Sequence, residues 1–221
     1  MDPEKLLLKI SSGKSLSSNE LAMAANVLES FLGQSTEKEA NIDDAYSCIL
    51  VLGKAGARQF RALFERFLAV KDPLTAALVL DILCLQWGET ETHLQSVLNY
   101  ALGVAWDRED DVRQMAFKII GEYLRSCADF SNGNVDFSRN ADLKREKARI
   151  SGLFDLLMNA FTNEKLSPWT RQSAYCALSR AWGKEWDELP ADCSLMDFSE
   201  TSGDVDVTTL ENSRALLRRL G

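Results

Sequence analysis

The sequence predicts an all-α fold, a stack of about five antiparallel helix pairs without a sheet, and three observations predict it. First, 46% of the 221 residues are apolar while only 12 are glycine and 4 proline, enough to bury a sizeable core but too few turn formers for a β-sandwich. Second, apolar residues recur at i, i+3, i+4 and i+7 in segment after segment. Third, three of the four prolines follow a residue that caps helices well.

Taken in chain order, Asp2-Pro3, Asp72-Pro73 and Ser167-Pro168 each mark a helix start. Proline loses nothing at the first helical position, where its missing N–H has no partner, and the preceding side chain accepts from the exposed amides. Ser17 with Glu20 forms a capping-box pattern, and Pro190 reads as a helix stop. Core stripes follow: Phe60, Leu63, Phe64, Phe67; Leu94, Val97, Leu98, Ala101; Val112, Met115, Ala116, Ile119, Ile120, Tyr123; and Ile150, Leu153, Phe154, Leu157, Met158, Phe161. From Leu74 to Trp87 the pattern is apolar nearly all round, broken by Thr75, Asp81 and Gln86, which predicts a central helix packed on several sides. Ten helices are expected, at about 3–11, 17–32, 41–54, 57–70, 73–87, 91–105, 110–126, 143–162, 168–185 and 207–220. Gly33, Gly53, Gly56 and Gly88 are placed to end helices. Val205 and Val207 are too short a run for a strand. The whole chain, 1–221, reads as one helical-repeat domain with insertion loops at 127–142 and 187–206. Phe130, Val135 and Phe137 in the first loop, and Leu195, Met196 and Phe198 in the second, give both something to pack with.

Three of these helices share a shape. Asp72 precedes Ala77, Asp111-Val112-Arg113 precedes Ala116, and Pro168-Trp169-Thr170-Arg171 precedes Ala174; the alanines lie 39 and 58 residues apart, the longer step containing the 127–142 insertion. A period near 40 with two helices per unit marks stacked helical hairpins. Asp43, Cys48 and Gly53 repeat the offsets of Asp111, Ala116 and Gly121. The pattern resembles the HEAT-repeat family through Asp111-Val112-Arg113-x-x-Ala116 and Arg171-x-x-Ala174, over about residues 41–186. The resemblance implies an α-solenoid in which Asp111 caps its helix, the arginines join a ladder between repeats and the alanines permit close helix approach. The Asp72 helix lacks the arginine, which interrupts such a ladder.

Composition excludes several kinds of chemistry. No apolar run is long enough to span a bilayer, and Met-Asp-Pro-Glu-Lys lacks the apolar stretch of a signal peptide, so a cytoplasmic, membrane-free protein is expected. The five cysteines, Cys48, Cys84, Cys127, Cys176 and Cys193, contain no C-x-x-C pair and read as free thiols. The single histidine, His93, reads as a surface or capping residue, since no neighbour suggests a nucleophile. The isolated glycines form no phosphate loop. The acids Asp107, Glu109, Asp110 and Asp111 complement a helix N-terminus and lack the oxygen spacing of a calcium loop. No cofactor, metal or catalytic residue is expected, and the reading is of a protein that is not an enzyme. Helical-repeat DNA glycosylases are the enzyme class weighed, on five tryptophans (Trp87, Trp106, Trp169, Trp182, Trp186) and two basic clusters, Arg58/Arg61/Arg66 and Arg139/Lys144/Arg145/Lys147/Arg149. The net charge of −8 argues against nucleic acid.

That charge is concentrated in one place. Glu185, Asp187, Glu188, Asp192, Asp197, Glu200, Asp204 and Asp206 fall in one segment without a Lys or Arg, and the rest of the chain is neutral. Such a segment suits a basic protein surface. The expected partner site is Trp186, Asp187, Glu188, Asp192, Leu195, Met196, Asp197, Phe198 and Glu200, the acids steering the encounter and the apolar residues anchoring it. Size, acidity and helical-repeat character resemble bacterial toxin-immunity proteins, which implies an inhibitor of a cationic toxin such as a nuclease. A scaffold adaptor in a larger complex is the alternative.

Overall fold

The helix starts form as their side chains predict. Asp2 accepts from the Lys5 amide at 3.3 Å, Asp72 from Thr75 at 2.8 Å and Ser167 from Thr170 at 3.1 Å, each with proline at the first helical position. Glu20 accepts the Ser17 amide at 2.7 Å while its own amide donates to Ser17 Oγ at 3.3 Å, which closes the reciprocal capping box.

The computed structural model describes residues 2–33, 41–127, 143–189, 197–199 and 203–220. It is all-helical, with ten α-helices and no strand among the described residues. They are α1 (Pro3–Ser11), α2 (Ser18–Gly33), α3 (Ile42–Lys54), α4 (Arg61–Phe67), α5 (Pro73–Leu80), α6 (Thr90–Ala101), α7 (Asp111–Cys127), α8 (Leu143–Thr162), α9 (Pro168–Ala181) and α10 (Val207–Leu220). The chain divides into two compact units, Met1–Val112 and Arg113–Gly221, the division falling in the first turn of α7.

In the first unit α3 packs against α1, α2 and α5, and α4 against α2 and α5. Ile49, Leu52, Phe64, Phe67, Val79, Leu80, Ile82 and Leu83 are fully enclosed, and the Phe64 and Trp87 rings lie 4.9 Å apart. Each such side chain contributes about 1.5–3 kcal/mol of burial. The single helix expected over 73–87 is α-helical only to Leu80, and a π-helical turn takes Asp81–Gln86. The wider turn ends on Trp87 N–H donating to Ile82 O at 2.8 Å, and Thr90 Oγ1 donates to Cys84 O at 3.0 Å. The helix expected over 57–70 likewise begins with a 3-10 turn at Arg58–Phe60 and ends at Phe67.

Two of the four positions, Gly33 and Gly53, correct the glycine reading, since neither has a positive φ. Gly56 (φ +65°) and Gly88 (φ +73°) do take the left-handed conformation that ends a helix. Gly53 does not: it lies inside α3, where a Cβ would stand 2.4 Å from Ile82 Cδ1, so its role is close packing against the π-helical turn.

In the second unit α8 packs on α9 and α10, and α10 also on α9. The stripe Ile150, Leu153, Phe154, Leu157, Met158 and Phe161 is buried throughout, as its spacing predicts. Trp182 stacks 5.7 Å from Phe154 and donates from Nε1 to Ser213 Oγ at 2.8 Å, tying the end of α9 to α10. Gly121 of α7 meets Ala177 of α9 so closely that a Cβ would stand 2.8 Å from Ala177 Cα.

The cap of α7 differs from what the resemblance implies. Asp107, not Asp111, accepts from the amides of Asp111 (3.1 Å) and Val112 (2.8 Å). Asp111 lies in the first turn, its carboxyl pushed up by partial burial and by Asp107, Glu109 and Asp110. Asp110 adopts φ +60°, a left-handed conformation that the short polar side chain tolerates. Arg171, the second arginine of that pattern, donates from Nε to Phe161 O at 2.8 Å, closing the end of α8.

Candidate functional site

Of the expected partner residues, Trp186, Asp187, Glu188, Asp197 and Phe198 are described, while Asp192, Leu195, Met196 and Glu200 lie outside the described residues. Trp186–Glu188 form a 3-10 turn just beyond α9. The turn is closed by its own acids, with Glu185 N–H donating to Glu188 Oε2 at 2.6 Å. Asp187, Glu188 and Asp197 are exposed, and Trp186 keeps 37% of its surface open.

A polar frame fixes this turn to α7 and α9. Arg180, whose side chain is only 11% exposed, donates from Nε to Glu122 Oε1 at 2.8 Å and from Nη1 to Glu185 Oε2 at 2.6 Å and Lys184 O at 2.9 Å. Arg125 Nη2 takes the other oxygen of Glu185 at 2.5 Å. Trp186 Nε1 donates to Glu122 Oε1 at 2.6 Å, and its ring lies 5.7 Å from the Arg180 guanidinium and 5.8 Å from Lys118 Nζ. Charge-assisted contacts of this length are among the stronger hydrogen bonds. Sequence reasoning named Trp186 and missed the frame, because Glu122 stands 64 residues from Trp186 and 58 from Arg180.

Two acids of the segment are paired within the fold. Glu185 is held by both arginines, and Asp206 bonds Lys184 Nζ at 2.7 Å, which keeps its carboxyl below the usual range. Phe198, expected as an anchor for a partner, is half-buried against its own unit, 6.1 Å from the Phe161 ring with the Arg171 guanidinium 4.3 Å from its own. Beside it an open pocket of about 340 Å³ is lined by Tyr175, Lys184, Glu188, Leu189, Asp204 and Asp206.

Elsewhere the titratable groups are arranged differently. His93, expected at the surface, is buried at 6% exposure because α6 turns it inward beside Leu94 and Val97. Its Nε2 lies 3.6 Å from Glu89 Oε2 and 3.8 Å from Glu65 Oε1, beyond hydrogen-bonding distance of either. Burial pushes the thiols of Cys48 and Cys176 up to about 11 and that of Cys84 up to about 12, so they are poor nucleophiles. Among the described residues no group of three His, Cys, Asp or Glu side chains is arranged to hold a metal ion, and no helix is long and apolar enough to cross a membrane.

Comparison with protein-family models, with curated proteins and with solved structures found no match to this chain.

Proposed function

We propose that the chain is a non-enzymatic protein-binding module, a helical-repeat stack of about five helix pairs whose C-terminal acidic segment receives a basic protein. Most specifically it is an inhibitor of the immunity type that covers a cationic toxin such as a nuclease. The observation that carries this reading is the exposure of Trp186, Asp187 and Glu188 together on one turn, within a segment of eight acids and no bases. Acids in that setting raise the encounter rate with a basic surface, and an aromatic side chain supplies affinity on contact.

Nucleic acid is a poorer fit to the basic residues. Arg58 donates to Trp87 O, Arg61 to Glu65 and Arg66 to Glu29, so that cluster is already engaged within the fold. Trp87 and Trp182 pack on phenylalanines, and Trp106 stands edge-on to Tyr100, uses that leave them less suited to stacking on a base.

The test is capture from the native cell on the immobilised chain, followed by binding kinetics with whatever basic protein is recovered in stoichiometric amount. Replacing Asp187→Lys and Asp197→Lys, both exposed, should slow association about tenfold or more at low salt, with the gap closing as ionic strength rises. Recovery of several subunits of one large complex in place of a basic protein supports the adaptor. Unchanged association by the double variant moves the site away from the acidic segment.

A further inference from the structure

We infer that Arg180 is the positioning residue of the docking surface proposed above: its guanidinium holds the Trp186–Glu188 turn in place before a partner arrives. The inference rests on that reading of the acidic segment and adds to it a division of labour between charge and geometry. Among the described residues Arg180 bonds both Glu122 and Glu185, at 2.8 Å and 2.6 Å. Glu122 in turn holds the indole N–H of Trp186, and Glu185 opens the turn that presents Asp187. With its polar atom committed inside the unit, Trp186 offers a partner its ring, and a ring fixed in advance loses little conformational freedom on binding.

Charge alone predicts the opposite importance for this residue. Lys118, Arg125, Arg180 and Lys184 all lie around the turn, so taking one cation away makes the surface more acidic and should speed capture of a basic partner. If Arg180 positions the turn, its loss instead speeds release. The two effects fall on different rate constants, and Arg180→Lys separates them: the ammonium keeps the charge but lacks the planar fork that reaches two carboxylates at once.

Binding is measured on the basic partner recovered with the wild-type chain, with a peptide of alternating lysine and arginine as a probe of charge alone. Both Arg180→Gln and Arg180→Lys should release the partner roughly tenfold faster or more. Arg180→Lys should associate at the wild-type rate, and the peptide should bind Arg180→Gln at least as tightly as wild type. Circular dichroism checks that helicity is kept. Glu122→Gln, which preserves shape, should accelerate release in the same direction and serves if an Arg180 variant fails to fold. Wild-type release rates in Arg180→Lys and Glu122→Gln overturn the inference. Should the wild-type chain hold no basic partner, the docking reading itself fails. Should it hold one, with association sensitive to Asp187→Lys and release insensitive to Arg180, only the positioning role fails.

Discussion

The two units each bring together a pair of glutamates, an arginine and an aromatic ring nitrogen, and they treat that set in opposite ways. In the first unit Arg61, Glu65, Glu89 and His93 form a set that runs from the part-exposed Arg61 and Glu65 to the buried His93 ring. Arg61–Glu65, at 2.9 Å, is tight; Arg61–Glu89 spans 3.6 Å, and neither His93 Nε2 nor the buried Glu89 Oε2 has a hydrogen-bond partner among the described residues. In the second unit Glu122, Arg180, Glu185 and Trp186 are joined by hydrogen bonds of 2.6 to 2.8 Å around an Arg180 side chain that is only 11% exposed. A polar atom buried without a partner costs desolvation and returns little, whereas a satisfied set fixes a geometry. The first leaves buried polar atoms unpaired; the second fixes a turn.

The largest expected effect tests how tightly each unit is closed. Gly121→Ala brings a Cβ to 2.8 Å of Ala177 Cα and 2.9 Å of its carbonyl oxygen, backbone atoms that move only if α7 and α9 separate. A loss of about 3 kcal/mol is expected. Gly53→Ala meets the Ile82 side chain at 2.4 and 2.7 Å, and a side chain can change rotamer, so about 1 kcal/mol is expected there. Urea denaturation of the two variants checks the order, and a larger loss at Gly53 would mean that the π-helical turn cannot yield.

Next comes the comparison of the polar clusters themselves. Arg180→Gln should cost about 1–2 kcal/mol, since it leaves Glu122 and Glu185 short of a partner. His93→Leu removes a ring whose Nε2 makes no hydrogen bond among the described residues, and stability should stay within about 1 kcal/mol of wild type. Thermal unfolding of both decides it. A severe loss at His93 would show that the buried cluster is held by more than its distances indicate.

The same contrast explains what was legible in the sequence. Asp2, Ser17, Asp72 and Ser167 act on amides three residues away, so a short window contains the whole cause. Gly53 was misread because its neighbour Ile82 lies 29 positions on in the chain, and a glycine near a helix end has the same local appearance whether it turns the chain or makes room. The inward turn of His93 was within reach of the α6 stripe, since His93 stands four residues before Val97 and eight before Ala101 on one helix face; its polarity alone argued for the surface. Trp186 was legible as an aromatic residue at the edge of an acidic run; the frame behind it was not, because it joins α7 to the end of α9 through side chains alone. The extent of the acidic segment was plain, but the pairing of its acids with cations was not, since Arg125 stands 60 residues from Glu185 and Asp206 meets Lys184 across the whole segment.

Smaller effects are expected at single buried hydroxyls, one in each unit. Thr75 Oγ1 and Ser179 Oγ are enclosed and bond nothing among the described residues. Thr75→Val keeps the shape and leaves the Asp72 cap on the Thr75 amide intact, and Ser179→Ala removes only the oxygen. Both should be neutral or stabilising by up to about 1 kcal/mol, read as a rise in melting temperature. A clear loss in either would reveal a bridging water beneath it.

The smallest effect compares the surface ion pairs, Lys9–Glu20 in the first unit and Lys184–Asp206 in the second. Lys9, the Ser17 amide and the Ser17 hydroxyl together hold the Glu20 carboxyl down to about 2 from an ordinary 4.5. A carboxyl lowered in the folded state binds protons less readily than in the unfolded chain. Its contribution is therefore complete above the ordinary value and is lost as the pH falls from there through about 2. Asp206, lowered chiefly by Lys184, should follow the same sign in the second unit. Carboxyl chemical shifts followed from neutral to strongly acidic pH resolve the two residues separately, and Glu20→Gln should remove the acid-sensitive step from the α1–α2 end while leaving that of Asp206 in place. Exposed pairs contribute little to global stability, so the shift is read at the residue and not in the melting temperature. Titration of Glu20 at the ordinary carboxylate value would show that its capping box and lysine contact do not persist in solution.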